Sequence, residues 1–262
     1  MNRPRLENAD LFRQFRQHLE SLKGAGIEWL PATSRALARE SSPARQVERT
    51  SLFEDAAVTL TAAPSADERP LSDRRQALSV LAEKIASCVR CPELVASRRQ
   101  TVFGVGQPGV DVCFVGEAPG ADEDAQGEPF VGAAGQLLNR IIAACRMKRE
   151  DVYICNILKC HPPGNRTPMT HECGNCRPFL EEQLDLVRPR FICALGSCAA
   201  QNLLNTTVSI GKLRGRFHDY RGIPVVVTYH PAFLLPHRSP HKKKDVWEDM
   251  KMLMARLGRP VD

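Results

Sequence analysis

The sequence lacks several features that would each assign it to a broad class of proteins. It has no run of the roughly 18 apolar residues that a helix needs to cross a bilayer, and its first ten residues lead into charge rather than the apolar core of a signal peptide. It has no internal repeat and no GxxxxGK[ST] phosphate-binding loop. We therefore expect a cytoplasmic protein of a bacterial-type cytosol that is not associated with a membrane.

The composition is that of a folded chain with a basic surface. Of its 262 residues 43% are hydrophobic and 25% charged, which suits one domain of ordinary size plus an extra segment. The net charge of +6 suits a polyanionic partner. The basic run at 237–244 is the densest cluster of positive charge, although a solvated basic surface would also explain it.

The first 75 residues differ from the rest of the chain. Residues 11–22 repeat apolar side chains at helical spacing and predict one amphipathic helix. Residues 31–70 are rich in Ala, Ser, Arg, Glu and Pro without periodicity, which indicates a disordered linker. We predict an N-terminal extension over 1–75 and one domain over 76–262.

Short apolar runs alternate with longer helical patterns after this extension. The alternation predicts an α/β fold with three layers, α/β/α, around a four-stranded and mainly parallel sheet. The expected strands are 111–116, 151–155, 190–196 and 223–229. The expected helices are 74–87, 133–147, 172–187, 198–204 and 244–257. Ligands of such sheets bind at the carboxyl ends of the strands, so the residues after each strand are the candidates for a site.

Ten cysteines in a reducing compartment indicate burial or metal binding rather than a disulfide framework. One group lies in apolar runs and is interpreted as core: Cys113, Cys145, Cys155, Cys193 and Cys198. The other group falls in two clusters typical of metal ligands: Cys88, Cys91, Cys160, Cys173 and Cys176. Spacing alone leaves open which of these five bind, and whether they bind zinc or an iron-sulfur cluster.

Polar and aromatic residues follow the first two expected strands. Glu117 stands directly at the exit of the first, in a glycine-rich loop that also carries Phe130. Asn156 stands at the exit of the second, where a side chain with both a donor and an acceptor suits the edge of a base. Phe130 could equally be a core aromatic, and Asn156 could form an Asx turn.

The last expected strand ends at His230, which can donate a hydrogen bond to developing negative charge. The loop that follows has an apolar tip, Phe233, Leu234 and Leu235, flanked by prolines and followed by cations. Apolar wedges beside basic residues are used to enter a DNA stack. A tip of this kind can also fold back onto its own core.

Taken in order, these loops resemble the family 4 uracil-DNA glycosylases of the uracil-DNA glycosylase superfamily. The similar motifs are GEAPG at 116–120, PFVG at 129–132, AGQLLN at 134–139, NILKC at 156–160, PP.NR.P at 162–168 and HPAFLL at 230–235. The resemblance covers about residues 78–256. It implies a monomeric enzyme that hydrolyses the N-glycosidic bond of uracil in single- or double-stranded DNA.

The resemblance also implies roles for individual residues. It implies one 4Fe-4S cluster with the ligands Cys88, Cys91, Cys160 and Cys176, leaving out Cys173. Uracil would be bound by Gly116, Glu117, the backbone amide of Ala118, Phe130, Asn156 and His230. The catalytic residues would be Glu117, Glu123 and His230, with the roles of the two carboxylates open to exchange. DNA would be contacted by Arg166, Phe233, Leu234, Leu235 and Arg238.

Two departures from relatives qualify this resemblance. The best-known uracil glycosylases carry an aspartate two residues after the first glycine of motif 1, where this chain has Ala118. The basic insertion of relatives that are trapped on uracil DNA is missing between Cys160 and Pro168, so turnover is expected. The competing hypotheses are a zinc or iron-sulfur protein that binds nucleic acid without glycosylase activity, and a redox iron-sulfur protein.

Overall fold

The computed structural model describes residues 69–261. The amphipathic helix and most of the linker predicted for the N-terminal extension lie outside the described residues. The first described helix, α1, runs over Leu71–Ala86, so the predicted boundary between residues 75 and 76 falls within it.

The centre of the fold is a five-stranded sheet in the order β2-β1-β3-β5-β4. Its strands are β1 Val112–Gly116, β2 Tyr153–Asn156, β3 Phe191–Leu195, β4 Phe217–Tyr220 and β5 Ile223–Thr228. All neighbours are parallel except β4, which pairs antiparallel with β5. The α/β fold class is confirmed, whereas the count of four strands is wrong because β4 was missed.

Strand β4 escaped prediction because it is short, polar and at the edge of the sheet. Its four residues are Phe-His-Asp-Tyr and only Tyr220 is buried. The register pairs Tyr220 with Ile223, so the hairpin loop consists of Arg221 and Gly222, both at positive φ. Such two-residue loops are the signal that could have revealed the hairpin.

The helices confirm the five expected ones with small changes at their ends. After α1 they are α2 Pro92–Ser97, α3 Ala121–Gln126, α4 Ala133–Ala144, α5 Thr170–Val187, α6 Gly196–Leu204, α7 Ile210–Leu213 and α8 Lys243–Arg256. Short 3-10 helices occupy Arg149–Asp151, Pro163–Asn165, Pro231–Leu234 and Pro240–Lys242. The additional α2, α3 and α7 have at most six residues each, too few for a periodic pattern.

Alternate residues of each central strand face opposite sides of the sheet and build two cores. Cys113, Val115 and Ala194 pack with buried residues of α1, α5 and α6. Phe114 and Cys193 pack on the other side with α4 and α8. This arrangement is the expected three-layer sandwich.

The strand order fixes where a ligand can bind. From β1 the chain moves to β2 on one side, while β3 lies on the other, so the loops after β1 and β3 diverge. A crevice opens at such a point outside the carboxyl ends of the strands. Glu117 follows β1 and Gly196 follows β3, which places both at this crevice.

Within residues 69–261, no helix is both long enough and apolar enough to span a membrane.

Gly135 and Gly174 are two helical glycines with opposite surroundings, which allows a matched test of packing. A Cβ atom on Gly135 would lie 1.9 Å from the carbonyl oxygen of Phe130, whereas one on Gly174 would meet nothing within 4 Å. We expect Gly135→Ala to destabilise the fold by about 1–3 kcal/mol through overpacking. Gly174→Ala should stabilise it by about 0.5–1 kcal/mol through helix propensity. Thermal unfolding measures both, and an equal effect of the two substitutions would contradict this packing.

Candidate active site

A cavity of about 420 Å³ opens at the carboxyl edge of the sheet and contains most of the predicted site. The predicted site residues that line it are Glu117, Ala118, Glu123, Phe130, Asn156, Arg166, His230, Phe233 and Arg238. They come from three separate segments of the chain, those at and after the ends of β1, β2 and β5. The structure therefore brings together side chains that the sequence could only place at strand ends.

Gly116, the last residue of β1, lies against the side chains of two site residues, Asn156 and Phe130. A Cβ atom on Gly116 would lie 2.4 Å from Oδ1 of Asn156 and 2.6 Å from Cζ of Phe130. Both contacts are closer than real Cβ atoms allow, so any side chain here would displace the amide or the ring. The glycine thus brings the Phe130 ring and the Asn156 amide together at the end of β1.

The Asn156 side chain offers an unused hydrogen-bonding atom to the cavity. Asn156 is 2% exposed, and its Oδ1 atom has no hydrogen-bond partner among the described residues. A buried polar atom without a partner costs about 1–3 kcal/mol. A ligand that donates a hydrogen bond to Oδ1 would recover this cost.

Phe130 is held in an unusual backbone conformation. Its φ angle is 56°, in the left-handed region that non-glycine residues rarely occupy. Its ring stacks against that of His230, with 5.5 Å between centroids and 30° between planes. A strained residue at a cavity is typical of a functional position. Phe130 is 5% exposed and packs in the core between the sheet, α4 and α8, and its ring also lines the cavity.

The geometry of His230 determines which ring nitrogen carries the proton. The backbone N–H of Ala232 donates to Nδ1 at 3.1 Å, so Nδ1 accepts and the proton of the neutral ring is on Nε2. Burial lowers the pKa of His230 to about 4, while the smaller effects of Glu123 and Arg238 act in opposite directions. His230 is therefore a neutral donor at physiological pH.

The two candidate carboxylates have different surroundings. Oε2 of Glu123 accepts from the backbone of Gly120 at 3.0 Å, and Oε1 accepts from Val131 at 2.9 Å and Gly132 at 3.0 Å. Glu123 thus connects the loop after β1 to the segment that follows Phe130.

Glu117 instead has no hydrogen bond or ion pair to its carboxylate within residues 69–261. Burial raises the pKa of this carboxyl above its usual value. A carboxylate without partners at a cavity wall can act on a ligand or a water molecule, whereas the Glu123 oxygens are already engaged in holding the loop.

Two further groups at the cavity can form hydrogen bonds. The backbone N–H of Ala118 donates to no group of the described chain. Asn165 also lines the cavity, and sequence reasoning did not single it out. Its Oδ1 lies 2.9 Å from Nε2 of His161. Its position in the polar loop after β2 is the signal that could have identified it.

The predicted wedge is wrong for one of its three residues. Phe233 is 38% exposed and borders the cavity, as expected. Leu234 is 1% exposed and belongs to the core between the sheet, α4 and α8. Leu235 is partly buried against the same core. The loop therefore follows the alternative in which its tip folds back, and Leu234 cannot reach DNA from this position.

The two arginines expected to contact DNA differ in their ion pairs and in their exposure. Arg166 donates to both carboxylate oxygens of Glu172, at 2.9 and 2.7 Å, and also lies 3.3 Å from Glu93. Much of its charge is thus offset within the protein, and it holds the loop after β2 against α5. Arg238 is exposed at the rim of the cavity and is the better placed of the two for a phosphate.

The four expected cluster ligands surround a single small cavity of about 20 Å³, lined by Cys88, Cys91, Cys160 and Cys176. Nη1 of Arg98 lies 3.0 Å from Sγ of Cys160, and Nδ2 of Asn175 lies 3.5 Å from Sγ of Cys91. No group of three or more His, Cys, Asp or Glu side chains in the described range is arranged to hold a single metal ion.

Cys173, the fifth cysteine of the two sequence clusters, does not line this small cavity. It borders a different cavity together with Cys198. Cys198, interpreted from the sequence as a core residue, packs against the core and is partly buried, and it also lines this cavity.

Comparison with known proteins gives consistent matches. The family model of the uracil DNA glycosylase superfamily matches residues 103–251. The chain is 41% identical to the type-4 uracil-DNA glycosylase of Thermotoga maritima, over 68% of this chain and 93% of that protein. It is 39% identical to the type-4 uracil-DNA glycosylase of Archaeoglobus fulgidus, over 70% of this chain and 95% of that protein. A type-5 uracil-DNA glycosylase of Pyrobaculum aerophilum is 32% identical, over 57% of this chain and 80% of that protein.

The different burial of Phe233 and Leu234 leads to a paired prediction. Leu234→Ala should destabilise the fold by about 2–5 kcal/mol, as for a core leucine. Phe233→Ala should destabilise the fold by only about 0.5–1.5 kcal/mol, through loss of the ring contact with Tyr229, while weakening the binding of DNA. Thermal unfolding and a DNA-binding titration measure the two effects. A neutral Leu234→Ala would show that this side chain is not part of the core.

Proposed function

Because the chain belongs to the uracil-DNA glycosylase superfamily, we propose that it is an enzyme that hydrolyses the N-glycosidic bond of uracil in DNA. The product is an abasic site, the first intermediate of base-excision repair. The observation that carries this proposal is the cavity in which a buried amide oxygen without a partner, a strained aromatic ring and a neutral histidine donor converge. These groups match the ring N3–H donor, the aromatic face and the developing negative charge of a uracil base.

The base must leave the DNA stack to reach this cavity. Flipping costs a few kcal/mol, less for a mispaired base or a single strand. Phe233 at the rim is placed to fill the vacated space, with Leu235 behind it, and Arg238 is placed for a backbone phosphate. Arg166 orients the loop after β2 more than it binds a phosphate, because Glu172 already pairs with it.

In the cavity, the polar edge of uracil is read by the Asn156 amide. Oδ1 accepts from the ring N3–H of uracil, and the amide N–H group donates to a carbonyl oxygen of the base. The Phe130 ring supplies a face for stacking, and the backbone N–H of Ala118 supplies a second donor. These groups are fixed before the base enters, so little ordering free energy is lost on binding.

His230 acts when the glycosidic bond breaks and negative charge moves onto uracil. Its Nε2–H donates to a carbonyl oxygen of the leaving base. One such donor can stabilise the transition state by about 3 kcal/mol. Its low pKa keeps the ring neutral, so the proton stays on histidine and the interaction remains a hydrogen bond.

Glu117 stabilises the sugar cation and positions the attacking water. Its carboxylate has no competing partner in the described chain, and burial makes it a stronger base than an exposed glutamate. Glu123 instead holds the cavity loop and, by family resemblance, helps to exclude the C5 methyl of thymine. Asn165 lines the same cavity and can form a second hydrogen bond to this water.

The cysteines that surround the small cavity fit one 4Fe-4S cluster. Four sulfur ligands and two nearby N–H donors are typical of such sites. The ligands come from the segment between α1 and α2, from the loop after β2 and from α5. A cluster there would connect these segments and fix the loop that carries Asn156, while taking no part in bond cleavage.

The setting of the reaction is also part of the proposal. We place the enzyme in the cytosol as a monomer that acts on single- or double-stranded uracil-containing DNA, with residues 1–75 available to a replication or repair protein. A nucleic-acid-binding protein without activity would need neither the strained Phe130 nor the neutral His230 donor. These two features favour the enzyme over that alternative.

Uracil release from defined oligonucleotides tests the proposed function and separates the two carboxylates. The rate should be constant at neutral pH and fall in acid as Glu117 becomes protonated, at a pH above the usual pKa of a glutamate. His230, with a pKa of about 4, should add no inflection between pH 5 and 8. Glu117→Gln should lower kcat by about 100-fold and remove the inflection of Glu117.

Glu123→Gln is the matched control, since it keeps Glu117 while weakening the loop that Glu123 holds. It should lower the melting temperature and raise KM, and leave the acidic inflection in place. If the wild-type protein with its metal centre intact released no uracil, the proposed function would be wrong. If Glu123→Gln abolished the inflection and Glu117→Gln did not, the roles would be exchanged.

Iron content and colour test the cluster. Cys176→Ser should give a colourless protein with little iron and a lower melting temperature. Cys173→Ser, three residues earlier in the same helix, should keep the brown colour and the iron of the wild type. Equal loss of iron from both variants, or a wild-type protein with one zinc ion, would contradict the proposed ligand set.

A further inference from the structure

A second cavity, of about 850 Å³, shares the Glu117 side chain with the proposed uracil cavity. Its walls come from the loop before α5, the first turns of α5 and α6, and the end of α6. Its lining includes Cys173 in α5 and Cys198 in α6, neither of which has a role in the proposed reaction or in cluster binding.

Cys173 in α5 and Cys198 in α6 line the same cavity, and Cys173 and Asn202 also line a smaller cavity. A hydrogen bond between the two thiols lowers the pKa of Cys173. Nδ2 of Asn202 also approaches Sγ of Cys198, at 3.6 Å. Cys198 is half-buried, so a small molecule in the second cavity can reach the pair.

We propose that Cys173 and Cys198 form an oxidation site at which a hydroperoxide converts the two thiols into a disulfide. One thiolate attacks the peroxide, so that an S–O bond forms, the O–O bond breaks, and an alcohol or water leaves with the proton. The second thiol attacks the resulting sulfenic sulfur, the S–S bond forms, and the S–O bond breaks to release water. The two thiols lose two electrons in total, and the hydroperoxide accepts them.

The disulfide would affect the proposed active site through two contacts. It would tie the first turn of α6 to α5, and α6 begins at Gly196, where an added Cβ atom would lie 3.0 Å from Cβ of His230. It would also alter the wall that Cys173 and Cys198 share with Glu117. We expect oxidation to slow uracil release several-fold and reversibly. This effect on rate rests on the proposed function, whereas disulfide formation does not.

A second thiol contact in the protein serves as an internal control. Cys113 and Cys155 are also within hydrogen-bonding reach of each other, on the neighbouring strands β1 and β2. Both are fully buried, and neither lines the second cavity. If access through that cavity decides reactivity, this pair should remain reduced under conditions that oxidise Cys173 and Cys198.

The experiment treats the full-length protein briefly with hydrogen peroxide, blocks free thiols with iodoacetamide under denaturing conditions, and maps peptides by mass spectrometry. A peptide pair joined through Cys173 and Cys198 is expected, with Cys113 and Cys155 alkylated. Uracil release should fall several-fold and return with dithiothreitol. Cys198→Ser and Cys173→Ser, which keep the four cluster ligands, should show no loss that dithiothreitol reverses.

Three results would overturn the inference. Absence of the Cys173–Cys198 peptide pair at full oxidation of exposed thiols would exclude the site. Equal oxidation of Cys113 and Cys155 would exclude access through the second cavity as its cause. A quantitative disulfide with unchanged uracil release would exclude the effect on the active site. If the untreated protein released no uracil, the proposed function would fail, while the peptide map would still decide the oxidation site.

Discussion

The proposed active site depends on the close approach of Phe130 and Asn156 over Gly116. The approach is possible only because position 116 has no side chain, since a Cβ atom there would overlap both groups. Glu123 supports it from one side by accepting hydrogen bonds from Val131 and from Gly132, the residues after Phe130. Gly135 supports it from the other, because only a glycine leaves room for the Phe130 carbonyl. These supports fix the strained Phe130 before any ligand binds, which is what preorganisation requires.

A buried lysine, Lys159, connects the end of the sheet to the cysteine-lined cavity. Lys159 is 1% exposed, and its Nζ donates to the carbonyl of Asn156 at 2.9 Å and to Oε1 of Gln183 at 2.6 Å. It thereby joins the end of β2 to α5. Lys159 also lines the small cavity bordered by the four cysteines. The Asn156 backbone, Lys159 and Gln183 thus form one connected polar network beside that cavity.

The sequence alone was sufficient to predict those site residues whose positions follow from the order of the strands. Glu117, Asn156 and His230 follow parallel strands, and the carboxyl ends of such strands meet at one edge, so their convergence was predictable. The burial of Leu234 was not, because it depends on packing against α4 and α8 rather than on the loop's own composition. Strand β4 was missed since its burial is weak. The contact between Cys173 and Cys198 joins two helices, and neither apolar pattern nor spacing reveals it.

Burial has opposite effects on the pKa values of His230 and Glu117, the two groups proposed to be catalytic, and both effects suit the proposed reaction. Removing His230 from water lowers its pKa and favours the neutral ring, while the same effect raises the pKa of the Glu117 carboxyl and makes its carboxylate a stronger base. A charged imidazolium would be a stronger donor to the leaving base, but it would also repel the cation that develops on the sugar. A neutral donor at the base and an anionic carboxylate near the sugar therefore stabilise both ends of the breaking bond, without adding positive charge between them.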